Sequence, residues 1–265
     1  RADSNVSGSG GEGKAFGQYA ATVSRTFDRL GIDSVQVADS DLAPELFAGI
    51  KLVVLPYNPR VSAAAAEQLR TYVGGGGKLL ACYSLPAEIG KLLGLRVTGS
   101  VVAEPASFAG FARTAQGMPE QPDFAPQASW RTTLAAPLEG QSARVSAVWR
   151  DGQGRDTPHP ALTVTSAGAF LGHVWFGDGG EAALALMRAL AGELVPDIWR
   201  KLAERALAQI GVIGGASDFA ALRAAIEGRQ PSQSAREALA QADAARREAT
   251  AHFTADKWRE SLAAS

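Results

Sequence analysis

Between Lys51 and Ser84 the spacing of apolar residues changes twice, and each change has a marked boundary. Lys51-Leu-Val-Val-Leu55 is a short apolar, β-branched run. Pro56 and Asn58-Pro59 stop it, because proline has no ladder donor and biases the preceding residue away from helix. Ser62 then offers an N-cap oxygen, and Ala65, Leu69, Tyr72 and Val73 share one face of a predicted helix that Gly74 to Gly77 ends. Lys78-Leu-Leu-Ala-Cys82 follows as a second buried strand. A helix between two such strands predicts parallel pairing in a right-handed unit.

The same reading extends in both directions. Lys14 to Leu30 carries Phe16, Tyr19, Ala20, Val23, Phe27 and Leu30 at helical spacing, and Gly31 closes that helix. Ile32 to Ala38 is predicted as a strand, and Asp39 to Phe47 as a short turn or helix. Pro86 suits the first turn of a helix running to Leu93, stopped by Gly94. To that point the alternation is that of an open α/β sheet with helices on its faces.

From about 95 to 175 the pattern turns β-rich. Val97, Val101 and Val102 open it, and Trp130 to Leu134, Arg144 to Trp149, Ala161 to Thr165 and Ala169 to Trp175 are predicted strands. Phe108 to Ser129, rich in Pro, Gly, Gln and Ala, reads as loop. Glu181 to Leu194, Ile198 to Ile210 and Phe219 to Glu227 read as helices. Gly228 to Gln233 has linker composition, and Ser234 to Ala251 and Thr254 to Ala264 are alanine-rich helices. The expected organisation is an α/β domain over 1–228, with a β-rich insertion at about 95–175, and a helical extension over 229–265.

Composition narrows the partners more than the chemistry. An apolar share of 46% in 265 residues supplies a packed core, and a formal net charge of -1 gives no reason to expect nucleic acid. No run approaches the roughly 18 apolar residues of a membrane span. Cys82 is the single cysteine, so no intramolecular disulfide forms and cysteine usage leaves the compartment undecided. Arg1-Ala-Asp-Ser-Asn5 precedes a glycine-rich loop with no full strand ahead of it, so an upstream strand or export signal is expected outside this segment, and further sequence after Ser265.

Two motifs are candidates for chemistry. Gly8, Gly10 and Gly13 fit G-x-G-x-x-G with Asp39 beyond, and Gly8, Gly13 and Lys14 fit G-x-x-x-x-G-K, with Ala15 where a magnesium-binding hydroxyl belongs. Both need an apolar strand running into the glycines, whereas Asp3, Ser4, Asn5 and Ser7 read as loop; a flexible loop before a helix is the preferred reading, and a nucleotide site the alternative. Cys82 ends a strand before a helix, a position where doubly wound sheets place nucleophiles, but Tyr83 and Ser84 are bulky for an elbow. None of His159, His173 and His252 makes a convincing base. A buried inert thiol is preferred, with a cysteine hydrolase as the alternative. Three histidines and one cysteine so scattered have no metal-ligand spacing.

Any ligand of an open parallel sheet is expected where the carboxyl ends of the strands converge. The candidate cleft is therefore Asp3, Asn5, Tyr57, Asn58, Cys82, Tyr83, Ser84 and Asp178, whose groups suit a neutral, hydroxyl-rich molecule such as a sugar better than a phosphate. The competing reading is a cleft closed by Tyr83 or covered by the β-rich strands. Trp130, Trp149 and Trp175, all in the β-rich region, are read first as core.

The order of these elements resembles a known fold. Tyr57-Asn-Pro59 and its helix, Gly74 to Gly77, Lys78 to Ser84 and Leu92-Leu-Gly94-Leu95 resemble the class I glutamine amidotransferase-like family, a three-layer flavodoxin-like α/β fold with a parallel sheet. More narrowly they resemble its non-catalytic version, found beside glycoside hydrolase barrels and in the trimerisation domain of beta-galactosidases. Gln127-Ala-Ser-Trp130, Val148-Trp149-Arg150-Asp151-Gly152, Pro160-Ala161 and Gly172-His173-Val174, with the helix to Pro196 and Trp199, resemble the amino-terminal region of bacterial family 10 glycosylhydrolase-like proteins. The resemblance implies a non-catalytic accessory domain of an exported, periplasmic or secreted, carbohydrate-active protein. It also implies a downstream catalytic barrel in the same polypeptide, an oligosaccharide or a second copy as further partner, and no cofactor. An active amidotransferase ends its last strand in His-Pro-Glu, where Trp175-Phe-Gly-Asp-Gly179 stands here, and Cys82 lacks the nucleophile's flanking glycine and histidine.

Overall fold

The computed structural model describes residues 12–210, 218–229 and 231–265, the first three of them by backbone alone. In chain order the described elements are α1 (Glu12–Arg29), β1 (Leu52–Leu55), α2 (Ala63–Gly74), β2 (Lys78–Cys82), α3 (Ala87–Leu93), β3 (Leu95–Val102), β4 (Phe108–Arg113), β5 (Phe124–Ser129), β6 (Arg131–Pro137), β7 (Ala143–Arg150), β8 (Asp156–Thr165), β9 (Gly168–Leu171), α4 (Gly180–Leu194), α5 (Ile198–Gln209), α6 (Phe219–Glu227), α7 (Gln233–Thr254) and α8 (Trp258–Ala264). Two short 3-10 turns, Asp39–Asp41 and Pro44–Phe47, lead into β1. The chain divides into two compact units, 1–195 and 196–265. Thus α5 and α6, read from sequence with the α/β domain, group with the helices that follow them.

The first unit is a mixed α/β structure. Its main sheet has the order β1-β2-β9-β8-β7-β4-β5, and β3 pairs with β6 in a separate two-stranded ribbon. Only β1, β2 and β9 are parallel; β8, β7, β4 and β5 continue the same sheet antiparallel. The expected parallel sheet with a β-rich insertion is present in part: β1, β2 and β9 are parallel, and the remaining β-rich strands, apart from the β3–β6 ribbon, join the same sheet. Four strands of the 95–175 region extend the sheet, and its last strand, β9, belongs to the parallel core. A parallel neighbour needs a crossover, and the long excursion from β2 to β9 supplies one.

Alternation along the parallel strands sorts the core into two faces. Leu80 and Cys82 of β2, with Ala169 and Leu171 of β9, pack with Val23 and Phe27 of α1 and Leu186, Met187 and Leu190 of α4. Leu79, Ala81 and Phe170 face the other way, onto Leu69 of α2 and Ile89 and Leu93 of α3. Two helix boundaries read from sequence, the start of α2 and the end of α3, are present. Ser62 Oγ accepts from the Ala65 N–H at 3.1 Å, and Gly94, at φ 69°, closes α3 in the left-handed conformation that glycine adopts at least cost. Gly168 has a different reason to be glycine: a Cβ there would overlap the Leu79 backbone of the paired strand.

Other expectations failed locally. Phe108 to Ser129 is no loop but holds β4 and β5. The polar, Pro-containing sequence is misleading because β5 is an edge strand, where Pro126 removes no ladder bond from a central position. Its inward residues Gln127 and Ser129 are polar yet buried. Ile32 to Ala38 pairs with no strand among the described residues, and Val35 there is 75% exposed. The strand placed at Ala169 to Trp175 stops at Leu171, so His173 stands in a loop, while His159 lies within β8.

The second unit is helical. Among the described residues, Trp199, Leu202 and Ala203 of α5, Phe219 of α6 and Ala249 of α7 are its buried apolar side chains. Ser261 of α8 donates its hydroxyl to the Ala249 carbonyl at 2.9 Å, and the Arg259 guanidinium lies 5.0 Å from the Trp199 ring centre. No helix among the described residues is long and apolar enough to cross a membrane.

Candidate functional site

Register brings the carboxyl ends of the three parallel strands level. Leu55 pairs with Ala81, and Cys82 with Leu171, so the loops after β1, β2 and β9 leave the sheet side by side. These loops carry Tyr57 and Asn58, then Tyr83 and Ser84, then His173, Phe176 and Asp178. Asp3 and Asn5, the remaining members of the expected cleft, lie outside the described residues, as do Gly8 and Gly10 of the glycine loop. Gly13 and Lys14 fall within α1.

The turn after β2 has an unusual backbone. Tyr83 sits at φ 62°, its N–H donates to the Leu171 carbonyl at 2.8 Å, and the Ser84 N–H reaches back to the Cys82 carbonyl at 2.7 Å. A hydrogen bond from i+2 to i around a positive φ is the strained form of the γ-turn, rare for a bulky residue. A sharp strand-to-helix turn of this kind is how α/β enzymes lift a nucleophile clear of the sheet. Here the lifted residue is Tyr83. Cys82, one position earlier, points into the core, is fully buried, and has its thiol pushed up to about 12 by desolvation. At neutral pH it stays protonated.

Tyr83 is held by other rings. Its ring centre is 5.6 Å from that of Tyr57 and 5.1 Å from that of His173. Tyr57 in turn meets Phe16 and Tyr19 of α1 at 5.2 and 5.9 Å, and Phe176 lies 5.2 Å from His173 and 6.3 Å from Tyr19. His173 is buried, and burial pulls its imidazole below the ordinary 6.5, opposed in part by the bond its Nδ1–H donates to the Val174 carbonyl at 3.2 Å. It is neutral at pH 7. Its ring is engaged with Tyr83, not with Cys82, so no thiol–imidazole pair is built.

The loop bearing His173 is fixed by β5, which the sequence concealed, and by β6, which it announced as Trp130 to Leu134. Gln127 of β5 donates Nε2–H to the Val174 carbonyl at 2.9 Å, and its Oε1 accepts from the Phe176 N–H at 3.0 Å. The Thr133 N–H of β6 donates to the Gly172 carbonyl at 2.8 Å. Beneath it, Trp149 donates to Thr132 Oγ1 at 2.7 Å and Trp175 to Thr26 Oγ1 at 3.0 Å, both rings buried as core. Trp130, in the turn between β5 and β6, is by contrast 57% exposed.

The expected cleft residues therefore divide. Tyr57, Asn58, Tyr83 and Ser84 gather at the edge; Cys82 is beneath it in the core; Asp178 is exposed on the loop after β9. His173, Tyr19 and Phe176 are members that sequence reading missed. Tyr19 was visible as part of the α1 stripe but not distinguishable there from core, and His173 was hidden by its assignment to a strand. Among the described residues no group of His, Cys, Asp and Glu is arranged to hold a metal ion.

No family model matches the sequence, and no curated protein matches it significantly. Solved structures do share the fold. A β-galactosidase from Rahnella sp. R3 is 20% identical at TM-score 0.51, over 66% of this chain and 27% of its own. A β-galactosidase from Bacillus circulans sp. alkalophilus is 16% identical at 0.51, over 66% and 27%. A ThuA-like protein from Bacteroides uniformis is 15% identical at 0.51, over 66% of this chain and 84% of its own. The likeness is one of fold. The chain spans about a quarter of the length of these β-galactosidases.

Proposed function

We propose that this chain is a non-catalytic accessory domain, of the flavodoxin-like, glutamine amidotransferase-like kind, within a larger carbohydrate-active protein whose catalytic barrel lies elsewhere in the polypeptide. The observation that carries the reading is the elbow after β2: the strained turn is kept, but it presents the Tyr83 ring while the thiol of Cys82 is sealed below it. A phenol packed between Tyr57 and His173 is a poor replacement for a thiolate. Acyl transfer needs a nucleophile within reach of a base, and the buried, neutral His173 serves neither Cys82 nor a solvent-exposed acceptor. The β-galactosidases, in which a domain of this fold occupies about a quarter of the chain, support its attachment to a glycoside hydrolase.

The test is made in the full-length protein. Cys82→Ser and Tyr83→Phe variants should hydrolyse aryl glycosides at the wild-type rate, and the isolated chain should release neither nitrophenol from those substrates nor ammonia from glutamine. A folded Cys82→Ser variant slowed about tenfold or more, equivalent to about 1.4 kcal/mol in the barrier, would contradict the proposal.

A further inference from the structure

The helical unit gathers arginine along one cleft. On α7, Arg236, Leu239, Ala240, Asp243 and Arg247 recur at three- and four-residue spacing and so share a face, and on α6 Arg223 and Glu227 stand four apart. These two faces, with Pro231 between the helices, line a cleft of about 730 Å³. That is the size of a small-molecule site, far larger than a single ion needs. Arg223 reaches across to Asp243 at 3.7 Å, and the Arg246 guanidinium lies 5.3 Å from the centre of the Phe219 ring. Arginine side chains thus bridge α6 to α7.

The charges in this cleft do not balance. Asp243, whose side chain is only 14% exposed, is shared by Arg247 at 3.1 Å, Arg246 at 3.3 Å and Arg223 at 3.7 Å. Arg223 also holds Glu227 at 2.9 Å. Arg236 donates Nε–H to the Pro231 carbonyl at 3.2 Å and pairs with no carboxylate among the described residues. Four guanidiniums therefore meet two carboxylates. A network serving stability alone gains nothing from the excess, since like charges drawn together repel and exposed ion pairs contribute little. A guanidinium has five donors, and these contacts engage one or two on each.

We infer that the cleft between α6 and α7 binds a small organic anion, its phosphate or carboxylate head on Arg223, Arg236 and Arg247 and its apolar body against Leu239 and Pro231. A cation would add to the excess positive charge, and a neutral molecule would leave it uncompensated. A bare inorganic ion would leave most of the cleft unfilled. An oxyanion matches the guanidinium fork with two parallel hydrogen bonds, which a halide cannot do. The site belongs wholly to the second unit and does not rest on the accessory reading.

The experiment is calorimetric titration of the 265-residue chain with phenyl phosphate and with benzoate, which separate a phosphate from a carboxylate head, and with benzyl alcohol and inorganic phosphate in parallel. At least one aryl anion should bind saturably and lose affinity as sodium chloride is raised. Benzyl alcohol should not bind, and inorganic phosphate should bind about tenfold more weakly or not at all. Arg236→Gln, which removes a charge that no carboxylate holds, should weaken binding about tenfold while leaving the Tm unchanged. Glu227→Gln, which removes a competing carboxylate, should tighten it. The inference is overturned if neither aryl anion binds, if benzyl alcohol or inorganic phosphate binds as tightly, if Arg236→Gln binds as well as wild type, or if Glu227→Gln fails to tighten binding.

Discussion

At the scale of single residues, the site is governed by two side chains in costly environments. Tyr83 occupies a left-handed conformation that costs an ordinary residue about 1–2 kcal/mol. Replacing it by Ala and by Gly removes the same ring contacts, so the difference between the two variants isolates the backbone. Tyr83→Gly should be more stable than Tyr83→Ala by about 1 kcal/mol in urea denaturation, opposite to the usual order. Equal stabilities would mean that the elbow relaxes. His173 is the second case. Burial depresses its pKa in the fold below the unfolded 6.5, so between the two values the unfolded chain binds the extra proton. Stability is full above about 6.5 and falls as pH drops toward the folded pKa. The Tm of wild type should therefore decline on acidification from pH 6.5, and His173→Gln should flatten that part of the profile. A wild-type Tm independent of pH there would place His173 in contact with water.

At the scale of elements, the strands and helices that were legible in sequence are those whose boundaries are chemical. Pro56, Ser62, Gly94 and the apolar runs beside them placed β1, α2, β2 and α3 to within a residue or two, because caps and breakers act locally. What was not legible is set by tertiary position. Gln127 faces inward because it bonds the loop after β9, Ser129 beside it accepts from the same amide, and Pro126 is tolerated because β5 is an edge strand; none of this is present in the local sequence. The cleft was legible in part for the same reason. Strand ends announced Tyr57, Asn58 and Tyr83, whereas His173 and Phe176 depend on where β9 stops. The β2–β9 pairing that aligns these loops rests on Gly168. Gly168→Ala should destabilise the chain by about 3 kcal/mol, the upper end for forced overpacking, since backbone and not a movable side chain blocks the methyl. A change below about 0.5 kcal/mol would show that β9 can separate from β2. Loss of Gln127 should act differently: Gln127→Ala leaves the Phe176 N–H unpaired and the Val174 carbonyl with His173 as its remaining donor, costing about 1–3 kcal/mol.

At the scale of the whole chain, an α/β unit and a helical unit stand in sequence, and about two thirds of the chain shares its fold with about a quarter of a β-galactosidase and with most of a ThuA-like protein. A fold of this kind can present chemistry at its strand ends or merely surface, and fold alone does not choose. The choice is made at Cys82 and Tyr83. If the elbow has lost its nucleophile, the thiol behaves as a core methyl would, silent until the sheet opens. The decisive measurement is mass spectrometry of the folded protein after incubation with an electrophilic glutamine analogue, with the urea-unfolded protein alkylated by iodoacetamide as the control for a reactive thiol. The account predicts no adduct on Cys82 in the native chain and complete alkylation once it is unfolded. A rapid, stoichiometric adduct on native Cys82, absent from Cys82→Ser, would contradict it.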